Sequence, residues 1–259
     1  MADRVRVLWE DNDYAVLYKP AGLIVHPAKA SRSDARPTYH ADDASRGGKT
    51  KERSLTDWII KKYPETEEVG EPIQFPTGEV IARPGIVHRI DRETSGVLVI
   101  AKNRIAHASL KKQFQRHQVK KVYYAFVYGP LKDREGKIDK PIGRSKSDFR
   151  KWMTGRGVRG EVREAVTYYR VLKELDGASF IEVRPRTGRT HQIRVHLKAI
   201  NHPIIGDSLY APEGRSLLGF KRLALHAASI QFKNLSGKDV RVEAPLPPDF
   251  KRNIQAGNV

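Results

Sequence analysis

The sequence predicts an α+β fold with a mixed, mostly antiparallel central sheet and a few short flanking helices. Two observations lead to this prediction. Segments rich in β-branched and aromatic residues are numerous, whereas apolar residues recur at helical spacing in only a few short stretches. Strand and helix patterns also fail to alternate regularly, as they would in a parallel α/β fold.

The strand predictions follow the chain in order. Two apolar segments, 5–9 and 14–18, flank a polar turn and indicate a hairpin. The run 97–101 has the length and the Val and Ile content of a buried strand. Segments 165–172 and 179–184 predict an antiparallel pair joined across Asp176-Gly177. Further strands are expected at 122–128, before this pair, and at 223–232 and 240–244, after it.

Three amphipathic patterns predict helices. The first begins after Ser54, a suitable N-cap, and ends before Pro64. The second follows Asn103 and has a basic exposed side. The third covers 190–200 with Thr190 as its expected N-cap, and its N-terminus is a natural phosphate or carboxylate site. Basic side chains gather on and before this helix: Arg186, Arg189, His191, Arg194 and Lys198.

Composition narrows the classes of partner. The formal charge of +18 on 259 residues predicts a polyanionic partner, with nucleic acid favoured over an anionic membrane. The absence of Cys excludes disulfides and thiolate metal sites. No apolar run approaches the ~18 residues that span a membrane, so a cytoplasmic protein without membrane contact is expected. One domain over 1–259 is predicted, with a flexible polar loop at about 28–51.

Two polar segments are the candidate functional regions. The segment 88–94 directly precedes the predicted buried strand and contains Asp91, although an isolated Asp in a loop is usually a turn cap. The segment 143–163 has seven Lys or Arg against two acids, with Phe149 and Trp152 interleaved. A solvated basic loop is the alternative there, but aromatic rings within a basic track favour RNA or DNA contact. Phosphate-loop, dinucleotide and nucleophile-elbow motifs are absent, and no catalytic metal is expected.

The segment 88–96, His-Arg-Ile-Asp-Arg-Glu-Thr-Ser-Gly, resembles the catalytic signature of the RluA-type pseudouridine synthases. Further resemblances follow in the family's order: Lys-Pro-Ala-Gly at 19–22 with His-Pro at 26–27, Lys-Val-Tyr at 121–123, 187–196, 202–207 and 225–227. The resemblance therefore implies the pseudouridine synthase fold and isomerisation of uridine to pseudouridine within RNA. It implies neither a cofactor nor a metal.

The resemblance also implies roles for individual residues. Asp91 matches the catalytic carboxylate, acting as nucleophile or as base. Arg194 matches its basic partner, Tyr123 the tyrosine that stacks on the target base, and Ile193 an apolar wall. Tyr123 as an ordinary core aromatic remains the alternative. His88 is expected to support the site.

RNA contacts are implied at a second set of residues. Arg89 matches the position that fills the space left by the flipped uridine. The other expected RNA-binding residues are Arg186, Arg189, His191, Lys198, Arg150 and Lys151. Ribosomal RNA is the first expected substrate and transfer RNA the second, for a monomer without a separate N-terminal RNA-binding domain. A non-catalytic RNA chaperone or a ribosome-associated protein on the same fold is the alternative.

Overall fold

The computed structural model describes residues 4–26, 54–74, 80–214 and 217–255, so the predicted polar loop at 28–51 lies outside the described residues. Fourteen strands and four α-helices occupy the described part. The strands are β1 Arg6–Glu10, β2 Tyr14–Lys19, β3 Ile73–Gln74, β4 Val80–Ile81, β5 Ser95–Ala101, β6 Lys120–Tyr128, β7 Glu135–Asp139, β8 Ile142–Ser145, β9 Trp152–Thr154, β10 Val158–Arg163, β11 Val166–Leu175, β12 Ala178–Pro185, β13 Leu225–Lys233 and β14 Asp239–Glu243. The helices are α1 Leu55–Lys62, α2 Arg104–Gln115, α3 Gln192–Ala199 and α4 Pro248–Gln255.

A nine-stranded sheet forms the centre of the molecule. Its order is β1-β2-β5-β13-β6-β12-β11-β7, and β14 also pairs with β13. Every pairing in it is antiparallel except that of β5 with β13. The predicted mixed, mostly antiparallel sheet is therefore confirmed. No helix in the described part is long and apolar enough to cross a bilayer.

Two apolar cores pack on this sheet. The first lies around β2, β5, α1 and α2, and the second around β6, β12, α3 and α4. Ser54 caps α1 as predicted, because its hydroxyl accepts from the Asp57 amide while the Asp57 carboxylate accepts from the Ser54 amide. Asn103 caps α2 through a single hydrogen bond, because its side-chain oxygen accepts from the Ala106 amide.

Three features of the fold differ from the sequence expectations. The basic segment 143–163 contains strands of a separate three-stranded sheet, ordered β10-β8-β9. The helix predicted from 190 begins two residues later, and His191 rather than Thr190 is its N-cap, without a side-chain cap. The helix α4, which begins at Pro248, was not predicted from the sequence.

The parallel seam between β5 and β13 requires a glycine. Gly96 pairs with Ala227, has φ of +116°, and a Cβ added there would lie 2.0 Å from the Ala227 carbonyl oxygen. Gly96→Ala is therefore expected to destabilise the protein by roughly 3 kcal/mol or more in urea unfolding, because backbone must move. Gly160→Ala is the control, since Gly160 has φ of +73° but open space around it. Equal losses for the two variants would contradict a steric role for the seam.

A buried histidine lies at the same seam. His226 of β13 is fully buried, and its Nδ1 is 2.9 Å from the Ser95 hydroxyl of β5. Burial, reinforced by the charge of Arg222, lowers the pKa of His226 to about 3. Below about pH 6.5 the His226 imidazole is protonated in the unfolded chain but stays neutral in the native protein. Acid therefore favours unfolding.

We expect His226 to lower the free energy of unfolding by up to about 1.4 kcal/mol for each unit by which the pH drops below about 6.5. Urea unfolding between about pH 7.5 and pH 5 measures this slope. His226→Gln, which cannot take up a proton, should give a shallower slope by that amount. An unchanged slope would show that other groups carry the acid sensitivity.

Candidate active site

Asp91 lies in the loop that leads into β5, at the position predicted for a reactive group. Its side chain is 20% exposed and lines a cleft of about 510 Å³. Arg194 of α3 donates from Nη1 to Asp91 Oδ2 over 3.2 Å. The fold thus joins two groups 103 positions apart in the chain.

A buried lysine fixes the loop that carries Asp91. The Lys19 amine, fully buried, donates to the carbonyls of Pro20, Leu23 and Arg92 at 2.8, 2.7 and 2.9 Å. The Gly22 amide also donates to the Arg92 carbonyl. Burial lowers the pKa of Lys19 to about 7. Lys19 therefore joins the turn after β2 to the residue next to Asp91.

A second carboxylate orients Arg194. Asp207 accepts from Arg194 Nε and Nη2, both over 2.8 Å, and its side chain is fully buried. The amides of Leu209 and Tyr210 donate to the same carboxylate. Burial acts to lower the pKa of Arg194, but Asp207 and Asp91 outweigh it and raise that pKa above its usual value. The two-point contact leaves Nη1 free to face Asp91.

Tyr123 and Ile193 line the same cleft. Tyr123 lies on β6, and Ile193 of α3 is 7% exposed. Burial and the charge of Asp91 raise the pKa of the Tyr123 hydroxyl, so it stays protonated at neutral pH. Lys121 lies on the same face of β6 and donates to the Thr187 carbonyl over 3.0 Å, while burial lowers its pKa to about 8. The cleft therefore presents a carboxylate, an aromatic hydroxyl and cationic groups to one substrate.

His88 faces the core side of the cleft. Its ring stacks on Phe114 at 4.7 Å between centroids, and its Nε2 accepts a hydrogen bond from the Val99 amide. Burial lowers the pKa of His88 to about 3, so the ring is neutral. These contacts tie the loop to β5 and α2.

His191 connects Asp91 with a tyrosine behind it. Its Nε2 lies 4.0 Å from Asp91 Oδ1, and its Nδ1 lies 2.9 Å from the Tyr210 hydroxyl. That hydroxyl also accepts from the Trp152 amide over 3.0 Å. The φ of His191 is 55°, a left-handed conformation that is uncommon outside glycine. Burial lowers the pKa of His191, and Asp91 acts in the opposite direction.

The predicted site residues divide into two groups. Arg89, Arg189 and His191 line the cleft with Asp91, Tyr123, Ile193, Arg194 and His88. Four predicted RNA-binding residues lie outside it: Arg186, Lys198, Arg150 and Lys151. Among the described residues, no three His, Asp or Glu side chains gather closely enough to hold a metal ion.

Sequence reasoning missed three residues of the site. Lys121 and Asp207 belong to the segments 121–123 and 202–207, which resemble family motifs. Their places in these motifs were the signal that could have identified them. Tyr210, which holds His191, had no signal of its own because a lone tyrosine in a loop predicts nothing. The long-range contacts of these residues become visible only in the folded chain.

The chain is similar in sequence to proteins of one known family. A sequence profile described as RNA pseudouridylate synthase matches residues 13–199. The chain is 36% identical over 250 residues to "Uncharacterized RNA pseudouridine synthase YlyB" of Bacillus subtilis (strain 168), covering 96% of this chain and 71% of that protein. It is also 36% identical over 257 residues to "Ribosomal large subunit pseudouridine synthase D" of Zymomonas mobilis, covering 95% and 71%.

The fold is similar to that of a human protein of solved structure, "RNA Pseudouridylate Synthase Domain Containing 4". The TM-score is 0.67 at 24% identity, with 96% of this chain and 91% of that chain covered. A likeness at this identity concerns the fold alone, whereas the family profile covers most of the present chain. On that profile and the sequence relatives together, the chain belongs to the RNA pseudouridylate synthase family.

Proposed function

We propose that Asp91 is the catalytic carboxylate of this pseudouridine synthase and that its substrate is ribosomal RNA. The observation that carries the proposal is the contact of Arg194 with Asp91 in a cleft that Tyr123 also lines. The relatives named for the ribosomal large subunit, from Zymomonas mobilis and Xanthomonas campestris, support the choice of RNA.

Each residue of the cleft has a task in this proposal. The reaction breaks the bond between ribose C1′ and uracil N1 and forms one between C1′ and C5. C5 loses its proton and N1 gains one, so the product is an isomer of the substrate. Asp91 acts on the sugar as nucleophile or as base, and both tasks need its ionised form. Arg194 fixes the carboxylate's direction, and Tyr123 stacks on the uracil as a neutral hydroxyl donor. Ile193 closes the apolar side of the pocket.

The substrate must reach a recessed carboxylate. A base inside a stem or a stacked loop has to turn out of its stack before Asp91 can contact its ribose. Arg89 is exposed at the mouth of the cleft and takes the space that the base leaves. Arg189 and His191 border the same opening and contact the strand there.

Mapping of pseudouridine tests the proposal. Purified protein is incubated with ribosomal and transfer RNA from cells that lack the gene, and modified positions are located at single-nucleotide resolution. We expect one or a few new sites in ribosomal RNA. New sites only in transfer RNA would overturn the choice of substrate, and no new site in either RNA would overturn the proposal as a whole.

A further inference from the structure

A second cavity of about 820 Å³ lies behind the wall of the Asp91 cleft. It is open to solvent on one side and is lined by β9, by Val195 and Ala199 of α3, and by the segment 209–214. Tyr210 belongs to this cavity and contacts His191, which lies next to Asp91. The helix α3 therefore lines both cavities with different residues, and Tyr210 of the second cavity reaches the Asp91 cleft through His191.

The lining of this cavity combines aromatic rings with amines. Tyr128, Trp152 and Tyr210 supply the rings, and Lys151 and Lys198 supply positive charge against the single lining acid Glu213. Aromatic rings next to lysines are the recurring means of binding single-stranded nucleic acid, because every base has a π-face and every linkage a phosphate. The volume lies within the range of small-ligand pockets.

The neighbouring hairpin extends the same chemistry. Phe149, in the connection between β8 and β9, is 67% exposed. The Arg144 guanidinium lies 5.0 Å from the centroid of the Trp152 ring. Basic and aromatic groups thus continue from the hairpin into the cavity, which favours an RNA strand over a peptide as the occupant.

We propose that this cavity binds one unstacked nucleotide of the substrate RNA, next to the target uridine in the strand. Its base packs against Trp152 and Tyr128, and a phosphate lies on Lys198. The proposal deepens the proposed function, on which it rests, by adding a recognition site for a nucleotide that does not react.

A nucleotide bound in the cavity also affects His191, which lies next to Asp91. A base in the cavity packs on the ring of Tyr210, whose hydroxyl already binds the Trp152 amide and faces His191 Nδ1. His191 lies beside Asp91 in a left-handed conformation, and its ring contacts the Tyr210 hydroxyl. The bound nucleotide therefore fixes His191 and selects RNAs that carry a fitting neighbour of the uridine.

Fluorescence of Trp152 tests occupancy directly. The chain has three tryptophans, so Trp9→Phe with Trp58→Phe leaves Trp152 as the reporter. This protein is titrated with a mixed-sequence single-stranded RNA of about nine nucleotides, and binding of the labelled RNA is followed in parallel by anisotropy. We expect quenching that saturates together with the anisotropy. Full binding without any change in Trp152 emission would overturn the proposal.

Filling the cavity gives a second, kinetic readout. Ala199→Phe places a ring in the cavity and should raise KM for the mapped RNA by about tenfold or more, whereas Ala199→Ser should leave it nearly unchanged. Lys198→Ala should raise KM by about fivefold, and the exposed Lys238→Ala is its control. A KM unchanged in Ala199→Phe, with the unaltered protein active, would overturn the cavity site alone. RNA binding without pseudouridine formation by the unaltered protein would overturn the proposed function, and the quenching experiment would still decide the cavity site.

Discussion

Asp91→Asn is expected to reduce pseudouridine formation on the order of 10⁴-fold or more while leaving RNA affinity within about threefold. Asparagine has the shape of the carboxylate and can still accept from Arg194 Nη1. It lacks the ionised oxygen that must attack the ribose or remove its proton. Single-turnover measurement of pseudouridine, together with RNA binding by anisotropy, separates these two quantities.

Glu93→Gln is the matched control. Glu93 lies two positions away in the same loop, is 47% exposed in its side chain, and does not line the cleft. Both substitutions remove one negative charge, so their general effect on RNA attraction is equal. Glu93→Gln should therefore retain activity within about twofold. Residual activity of Asp91→Asn near that of the control would exclude Asp91 as the catalytic carboxylate, and a chaperone would lose nothing in either variant.

The second large effect is expected for Arg194→Lys. Lysine keeps the positive charge but has no planar fork, so it cannot hold Asp207 at two points and still face Asp91. The carboxylate of Asp91 then loses its fixed direction, and kcat should fall about 100-fold with a smaller change in KM. Steady-state kinetics on the mapped RNA measure both parameters.

Arg222→Lys is the control for Arg194→Lys. It weakens an Arg–carboxylate ion pair of the same kind without changing the direction of Asp91. Arg222 also binds a carboxylate at two points, through Nη2 and Nε to Asp249 at 2.9 and 2.8 Å, outside the cleft. Both variants should lose about 1–3 kcal/mol in urea unfolding, but Arg222→Lys should keep kcat within about twofold. An equal fall of kcat in both would mean that instability, rather than the direction of Asp91, limits the reaction.

The elements predicted correctly are those whose local pattern agrees with their burial. The β-branched run of β5 is buried at every position, and the apolar positions Ala106 and Leu110 of α2 face the core. The caps at Ser54 and Asn103 are local contacts within three residues, so they can be read from adjacent positions.

The first residue of α3 could not be predicted from the neighbouring sequence. Gln192, its first residue, binds the Thr187 hydroxyl, the Arg189 amide and Thr167 of β11, and these contacts fix where the helix begins. The strands β8 and β9 are only four and three residues long, and β10 is exposed at five of its six positions, so none of them shows the apolar alternation that predicts a strand.

Only part of the site was predicted from the sequence, because its residues meet through contacts between distant parts of the chain. Asp91, Tyr123 and Arg194 were assigned by resemblance, and their meeting in one cleft depends on pairings between distant strands. Asp207 and Tyr210 act on Arg194 and His191 through contacts that no spacing rule encodes. Arg186, predicted with the RNA-binding residues, lines a cavity on β6 and β12 instead of the cleft.

The seam between β5 and β13 has a consequence for the order of events during synthesis. Asp91 enters the sheet with β5, and Tyr123 and Arg194 belong to the part that follows, yet β13 lies between β5 and β6. Because β13 comes from residues 225–233, the ribosome must release the chain through this strand before the two parts can join. A nascent chain that ends before β13 carries every predicted catalytic residue but lacks the strand that joins them. Synthesis itself thus delays the onset of activity until β13 has left the ribosome.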